Sequence, residues 1–556
     1  MNNVHALSDR YIEEFAALDP INGSYLGIPG HDEDLTDFSP DGYAARGELR
    51  ARTLREMAGA PAADEGEELA REVFQERVGT ELDLHEAGLD EACVNTINSP
   101  IQDIRITFDL MSSESAEDWE KIAKRLAKVP ETLKGLSASL ENALVRGTST
   151  SGRQLVKIAG QCDTWAGNAE PESFFTKFVR GAEDVSPALK AELETHAEAA
   201  NAAFAGFART LREEIAPKAP DRDGVGADIY SLWSRQFLGA RIDVQEAYEW
   251  AWAEFARVEK EMLALADRIK PGASLTEAAV VLDADPRYLI EGREQYGEWM
   301  QKLSDQALSD LRGVHFDIPD ELMKFEVRQA PPGGSVGQYY AAPTEDFSRP
   351  GSTWWTAPAE QTTFHTWRQI STLYHEGVPG HHLQLGTAVH QAGRLNKYQR
   401  LLAFAYGHGE GWALYAEKLM RELGYVSSDG DVFGSLTDEL YRAARVILDI
   451  GLHLGMEIPR GTGFHEGEKW TPELALRFFL TRTTVRESLS RDQVDRYLGW
   501  PAQATSYKLG ERMWLDAIAD ARARHGAAFD LKRFHMRALE MGSMGLDTLR
   551  VQLAKL

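Results

Sequence analysis

The stretch Tyr374-His375-Glu376-Gly377-Val378-Pro379-Gly380-His381-His382-Leu383-Gln384 sets three histidines and a glutamate within eight positions of a 556-residue chain. A second group, His408-Gly409-Glu410, follows it, and Glu417 stands seven residues beyond Glu410. Imidazole nitrogen and carboxylate oxygen are the donors that a hydrolytic zinc ion takes, with one coordination position left for water. The opening His-Glu pair reads as the start of the His-Glu-x-x-His zinc helix, in which the glutamate is the general base. The position four after His375 is Pro379, however, so the motif is not complete.

Two ligands on one helix normally stand four residues apart, where their side chains converge. On a straight helix His375 and His382 share a face, but seven residues rise roughly 10 Å, too far for one ion. Pro379 has no N–H to give the carbonyl of His375 and its ring clashes there, so the helix must bulge or break after Glu376. Gly380 tolerates the distorted backbone. Absorbing two extra residues presents His381 as the second ligand, and absorbing three presents His382. Gly380-His381-His382-Leu383 is similar to the Gly-His-Ala-Leu that follows the glutamate in zinc peptidases, which favours His381 and leaves His382 as the alternative. Glu376 neighbours a ligand without needing to be one, and is the expected general base. The expected third ligand is Glu410, with Glu417 on the same helical face as an alternative ligand or as the group that orients an imidazole.

Composition narrows the class. With 60 Lys and Arg against 87 Asp and Glu the net charge is −27, a surface that repels phosphate backbones and anionic lipid headgroups. No nucleic acid or membrane partner is expected. Cys93 and Cys162 form no framework and read as reduced thiols. No secretory start is visible, and no apolar run approaches the ~18 residues that cross a bilayer. The expected compartment is the cytoplasm. Oligomeric state is not legible.

Most of the chain reads as helix. Ser8 is the expected N-cap of a first helix that Pro20 stops, and residues 22–42 read as a loop. Amphipathic stretches follow at 68–87, 116–144, 152–167, 186–215 and 243–269. In the last of these, Tyr248, Ala251, Phe255, Val258 and Met262 fall on one stripe, which is core geometry. The helical rhythm breaks near Phe325. Met323–Arg328 alternates like a strand, Pro331-Pro332-Gly333-Gly334 follows, and then come Gln338-Tyr339-Tyr340 and Gly351–Thr356. This predicts a small sheet just before the His-Glu helix, either structural or offering an edge strand to an extended peptide. The expected fold is mainly α, with a helical N-terminal lobe over 1–320 and a catalytic lobe over 321–556, the two read as one continuous unit.

His375-Glu376-x-x-Pro379-Gly380-His381-His382, Glu410-Gly411-Trp412, Asp449-x-Gly451-x-His453 and Gln503-x-x-x-Tyr507-x-x-Gly510 resemble, in that order, the bacterial family known as domain of unknown function 885. The tail, with Phe534-His535 and Gly542-x-x-Gly545-Leu546, is similar too. Members of that family resemble gluzincin metallopeptidases. The resemblance implies an elongated, oligopeptidase-like helical architecture with a central channel. It implies one zinc, or another divalent ion, on His375, His381 or His382, and Glu410. It also implies Tyr507 and, less directly, His453 as donors to an oxyanion, with Asp449 orienting His453. One departure stands out: where the family has Pro-Gly-Gln-Ala, this chain has Pro501-Ala502-Gln503-Ala504, which matters if a positive φ is needed. The expected activity is zinc-dependent hydrolysis of amide bonds, most simply in short peptides. The alternatives are a specialised amide, isopeptide or ester hydrolase of small molecules on the same scaffold, and a non-catalytic zinc or peptide-binding protein.

Overall fold

The computed structural model describes residues 3–169, 172–330, 338–358 and 360–556. Contacts divide the chain into one unit of Met1–Leu232 with Asp495–Trp500, and a second of Trp233–Val494 with Pro501–Leu556. Both are mainly α-helical. The stretch Pro331-Pro332-Gly333-Gly334 lies outside the described residues.

The first unit is built from amphipathic helices whose apolar stripes meet in one core, including Phe108, Leu136, Ile158, Phe175 and Phe204. Its first helix, Val4–Leu18, is capped by Asn3, whose side chain accepts from the Ala6 N–H, rather than by Ser8. Ser8 lies inside that helix and bonds back to the Val4 carbonyl, the alternative that a buried serine has in mid-helix. The segment expected as a loop from 22 to 42 contains a short helix, Pro20–Tyr25, and the start of another at Pro40. Both begin on a proline preceded by an Asp or Ser cap, a strong local start signal. The stretch 116–144 is two helices, Ala116–Leu126 and Val129–Arg146, because Pro130 cannot continue a helix but suits a first turn.

In the second unit the labelled elements are helix α1 (Val244–Ile269), strand β1 (Leu289–Glu291), helix α2 (Arg293–Leu311), and strands β2 (Phe325–Gln329), β3 (Gln338–Ala341), β4 (Gly351–Trp355) and β5 (Thr363–His365). Helices α3 (Ile370–Glu376), α4 (His381–His390), α5 (Tyr406–Glu422), α6 (Asp429–Leu454) and α7 (Ser506–His525) follow. The division falls at Leu232 and not at residue 320. The physical reason is on α1, where Glu254 and Arg257 pair with Lys508 of α7 and Glu439 of α6, so residues 233–320 belong with the His-Glu helix. The expected stripe of α1 is buried at Tyr248, Ala251, Phe255, Val258 and Met262.

The small sheet has the order β2-β4-β3, with β2 and β4 parallel and β3 and β4 antiparallel. β1 and β5 form a separate antiparallel pair that the sequence reading did not anticipate, three residues being too short for a periodic signal. Gln301 of α2 closes the outer edge of β2: its side-chain amide donates to the Phe325 carbonyl at 2.9 Å and accepts from the Val327 N–H at 2.8 Å. Leu373 of α3 packs with Trp355, Phe364, Tyr296 and Met300, which fixes the His-Glu helix against strands and α2. Burying side chains of this size contributes about 1.5–3 kcal/mol each.

Candidate metal centre

Helix α3 ends at Glu376 and α4 begins at His381, so the stretched motif is resolved as a full break and not as a bulge. The four residues between fold back on α3: the Gly380 N–H donates to the Tyr374 carbonyl at 3.1 Å, and the His382 N–H to the Gly377 carbonyl at 3.1 Å. Trp412 of α5 pins the turn, its indole N–H donating to the Pro379 carbonyl at 2.8 Å. A Cβ on Gly380 would stand 1.9 Å from the His375 carbonyl oxygen, so only glycine fits. Gly380→Ala is therefore expected to cost about 3 kcal/mol or more and to reduce metal uptake. Chemical denaturation with metal analysis of the folded fraction checks both.

The break brings His381 against His375, with ring centroids 4.9 Å apart and planes at 87°. Glu410, in the first turns of α5, completes the group. One ligand atom from each of His375, His381 and Glu410 lies within 4.8 Å of the others, and among the described residues no fourth His, Cys, Asp or Glu joins them. A Glu410 oxygen is 3.1 Å from His375 Nε2 and 3.7 Å from His381 Nε2. Burial disfavours the Glu410 carboxylate, but the hydrogen bond from His375 and the nearby His381 imidazole prevail and hold it well below the usual carboxylate range. His381 Nδ1 is buried with no hydrogen-bond partner. Two imidazoles and a carboxylate that converge in a buried place form a donor set that suits one divalent cation with a coordination position left open.

The other face of His375 explains its orientation. Its Nδ1–H donates to Glu417 at 2.8 Å, which leaves Nε2 toward Glu410. Glu417 also accepts from Ser371 and pairs with Arg442 of α6. Burial opposes a charge on His375, yet the hydrogen bonds to Glu410 and Glu417 outweigh it and push the imidazole up to about 10. A cation held by the group would take the place of the Nε2 proton.

His382 points elsewhere. Its Nε2–H donates to the Leu322 carbonyl at 2.8 Å, and Nδ1 accepts from the Tyr340 hydroxyl at 3.0 Å. Burial lowers it to about 4, so it stays neutral and ties α4 to the sheet. His408, next but one to Glu410, is likewise outside the group: Nδ1 accepts from the Met544 N–H at 3.1 Å. Glu376 is buried beside His375, and burial raises its pKa against the opposing pull of His375 and His381.

Tyr507 arrives on α7, which crosses α5 at glycines. A Cβ on Gly510 would be 2.0 Å from the Gly407 carbonyl, so the two helices touch backbone to backbone. The Tyr507 ring lies 6.5 Å from that of His375 at an interplanar angle of 20°, and the Arg445 guanidinium sits 4.7 Å over its centre. His453 is buried in the last turn of α6 and is not part of the group of three. Asp449, one turn earlier, accepts the Ala502 N–H at 2.9 Å and so anchors the loop that leads to Tyr507. Ala502 has φ of 67°, the left-handed conformation for which the family's glycine is suited. Ala502→Gly is expected to stabilise the protein by about 0.5–1 kcal/mol, the strain of a left-handed alanine less the entropy that glycine adds to the unfolded chain. Urea unfolding measures it.

Arg442 and Ser371 were not singled out from the sequence, and Trp412 entered there only within the Glu410-Gly411-Trp412 motif, with no role assigned. A signal existed for the first: Asp438, Arg442, Arg445, Asp449 and His453 recur every three or four residues along α6, whose other positions are largely apolar. A polar stripe on a buried helix marks groups with partners.

Fold and site together define a mainly helical protein with a buried two-histidine, one-glutamate group at a helix break. The chain belongs to the bacterial family of proteins of unknown function DUF885, whose profile matches residues 20–553. No curated protein matches its sequence. Its fold is similar to that of a candidate lipoprotein from Colwellia psychrerythraea, at 22% identity and a TM-score of 0.85 over 99% of this chain and 98% of that one. It is also similar to a candidate lipoprotein of unknown function from Shewanella oneidensis, at 17% identity and a TM-score of 0.74 over 100% of both chains. Among the described residues, no helix is long and apolar enough to cross a membrane.

Proposed function

We propose that this protein is a single-zinc hydrolase of amide bonds that acts on short peptides. The observation that carries the reading is the convergence of His375, His381 and Glu410 beside a buried Glu376 that is not one of the converging donors. Zinc held by those three residues would supply a Lewis acid for the scissile carbonyl and would acidify water at neutral pH. Glu376 takes the proton of the attacking water and returns it to the leaving amine. Its position within α3, one residue from a ligand, keeps it at the reacting centre, and burial keeps its basicity above that of an exposed carboxylate. Tyr507 donates a hydrogen bond to the oxyanion as the carbonyl becomes tetrahedral, where a preorganised donor has most effect. His453 is a second donor from α6. Gln301 closes the β2 edge, so an extended peptide would align along β3.

The test is a library of short peptides incubated with the zinc-loaded protein and read by mass spectrometry. Cleavage at peptide bonds, lost on chelation and restored by zinc, is the expected result. Stoichiometric zinc with no peptide cleaved overturns the peptidase reading and moves the weight to small-molecule amides and esters.

A further inference from the structure

Glu410 and Glu417 are the same residue type, seven positions apart on one face of α5, and each contacts a different nitrogen of the same imidazole. Glu410 approaches His375 Nε2 at 3.1 Å and Glu417 meets Nδ1 at 2.8 Å. What separates their roles lies on the far side. The Glu410 carboxylate is hydrogen-bonded by His375 and lies 3.7 Å from His381 Nε2. Both Glu417 oxygens carry further donors: Oε1 also takes Arg442 Nη2 at 3.1 Å, while Oε2 takes the Ser371 hydroxyl and Arg442 Nη1 at 3.4 Å.

We propose that Arg442 is a positioning residue, which holds Glu417 in the task of orienting His375 and keeps it out of the ligand shell. The proposal rests on the reading of His375, His381 and Glu410 as the metal ligands. The guanidinium reaches both carboxylate oxygens at once, a planar fork that a lysine ammonium does not reproduce. Arg442 and Glu417 are both buried, so their attraction is little screened by water. For Glu417 to turn toward the metal it would have to leave Arg442 buried and unpaired, which is strongly unfavourable. Asp438 stands 3.8 Å from Arg442 on the same helix, and fixes the guanidinium from its own side. The buried polar stripe of α6 thus acts on the metal group through one intermediary carboxylate.

The experiment uses the full chain with the metal alone. Zinc affinity is measured by competition with a chromophoric chelator, and cobalt uptake by visible absorption, for the parent protein and for Arg442→Met, Arg442→Lys and Ser371→Ala. Arg442→Met is expected to weaken zinc binding by about 10–100-fold, the loss typical of outer partners of a ligand, and to alter the cobalt spectrum. Arg442→Lys, which keeps the charge and loses the fork, is expected to fall between it and the parent. Ser371→Ala, which removes one of the four donors, has the smallest effect. A folded Arg442→Met protein with parental zinc affinity and an unchanged cobalt spectrum overturns the proposal, since a role confined to packing would lower thermal stability alone. If that variant does not fold, Glu417→Gln carries the same test: it keeps an acceptor for His375 and loses the charge that pairs with Arg442. Parental affinity and spectrum in that variant overturn the proposal equally. Failure of the parent protein to take up one equivalent of metal is a different result, and removes the ligand reading itself.

Discussion

Replacing Glu376 by Gln is expected to lower peptide turnover by about 10²–10⁴-fold while the bound metal per chain is unchanged. That range corresponds to about 3–5 kcal/mol of lost transition-state stabilisation. The amide matches the carboxylate in size, so the buried surroundings of Glu376 keep their packing and the three converging donors remain. What disappears is the ability to accept a proton from water and to hand it on. The paired readouts are metal analysis and turnover by mass spectrometry. Turnover that survives the substitution would remove Glu376 from the role of base. Loss of metal together with turnover would show instead that Glu376 helps to hold the ion.

The second large effect separates adjacent histidines. His381→Ala is expected to reduce metal affinity by more than about 100-fold, beyond the loss that outer partners produce. His382→Ala is expected to retain the metal and to lose about 2–4 kcal/mol of stability, because the Leu322 carbonyl is left buried and unpaired and a cavity opens next to Phe325. Equilibrium dialysis and chemical denaturation of the two variants give opposite patterns. Equal metal loss in both would contradict the geometry, in which the two rings face different elements.

Much of this arrangement was legible before the structure. Pro379 forbids a continuous helix through the motif, and that single residue forces the six-residue spacing of His375 and His381 to be workable. The strand Phe325–Gln329 overlaps the alternating stretch Met323–Arg328, and Gln338–Ala341 and Gly351–Trp355 fall on the other two stretches expected to form the small sheet. The buried stripe of Val244–Ile269 follows from its period. Other features were misplaced for identifiable reasons. Ser8 resembles a cap, but Asn3 lies one turn earlier with a side chain that reaches the same kind of donor. A lobe boundary at 320 follows the switch from helices to strands, whereas the actual division follows contacts made by Glu254 and Arg257, which no local pattern announces.

By itself, then, the sequence determined the helical class, the small sheet, the break at Pro379 and the inventory of donors, because these depend on residue identity and on neighbours within a few positions. Tertiary structure alone decided which donors meet. His381 faces His375 because the indole of Trp412, 33 residues beyond Pro379 in the chain, pins the turn between them. His382 is claimed by Leu322 and Tyr340, 60 and 42 residues before it. Glu417 is paired with Arg442 on another helix, behind His375. Each choice is a hydrogen bond or ion pair between segments far apart in sequence, and side-chain direction at such a junction is set by the partner and not by the spacing.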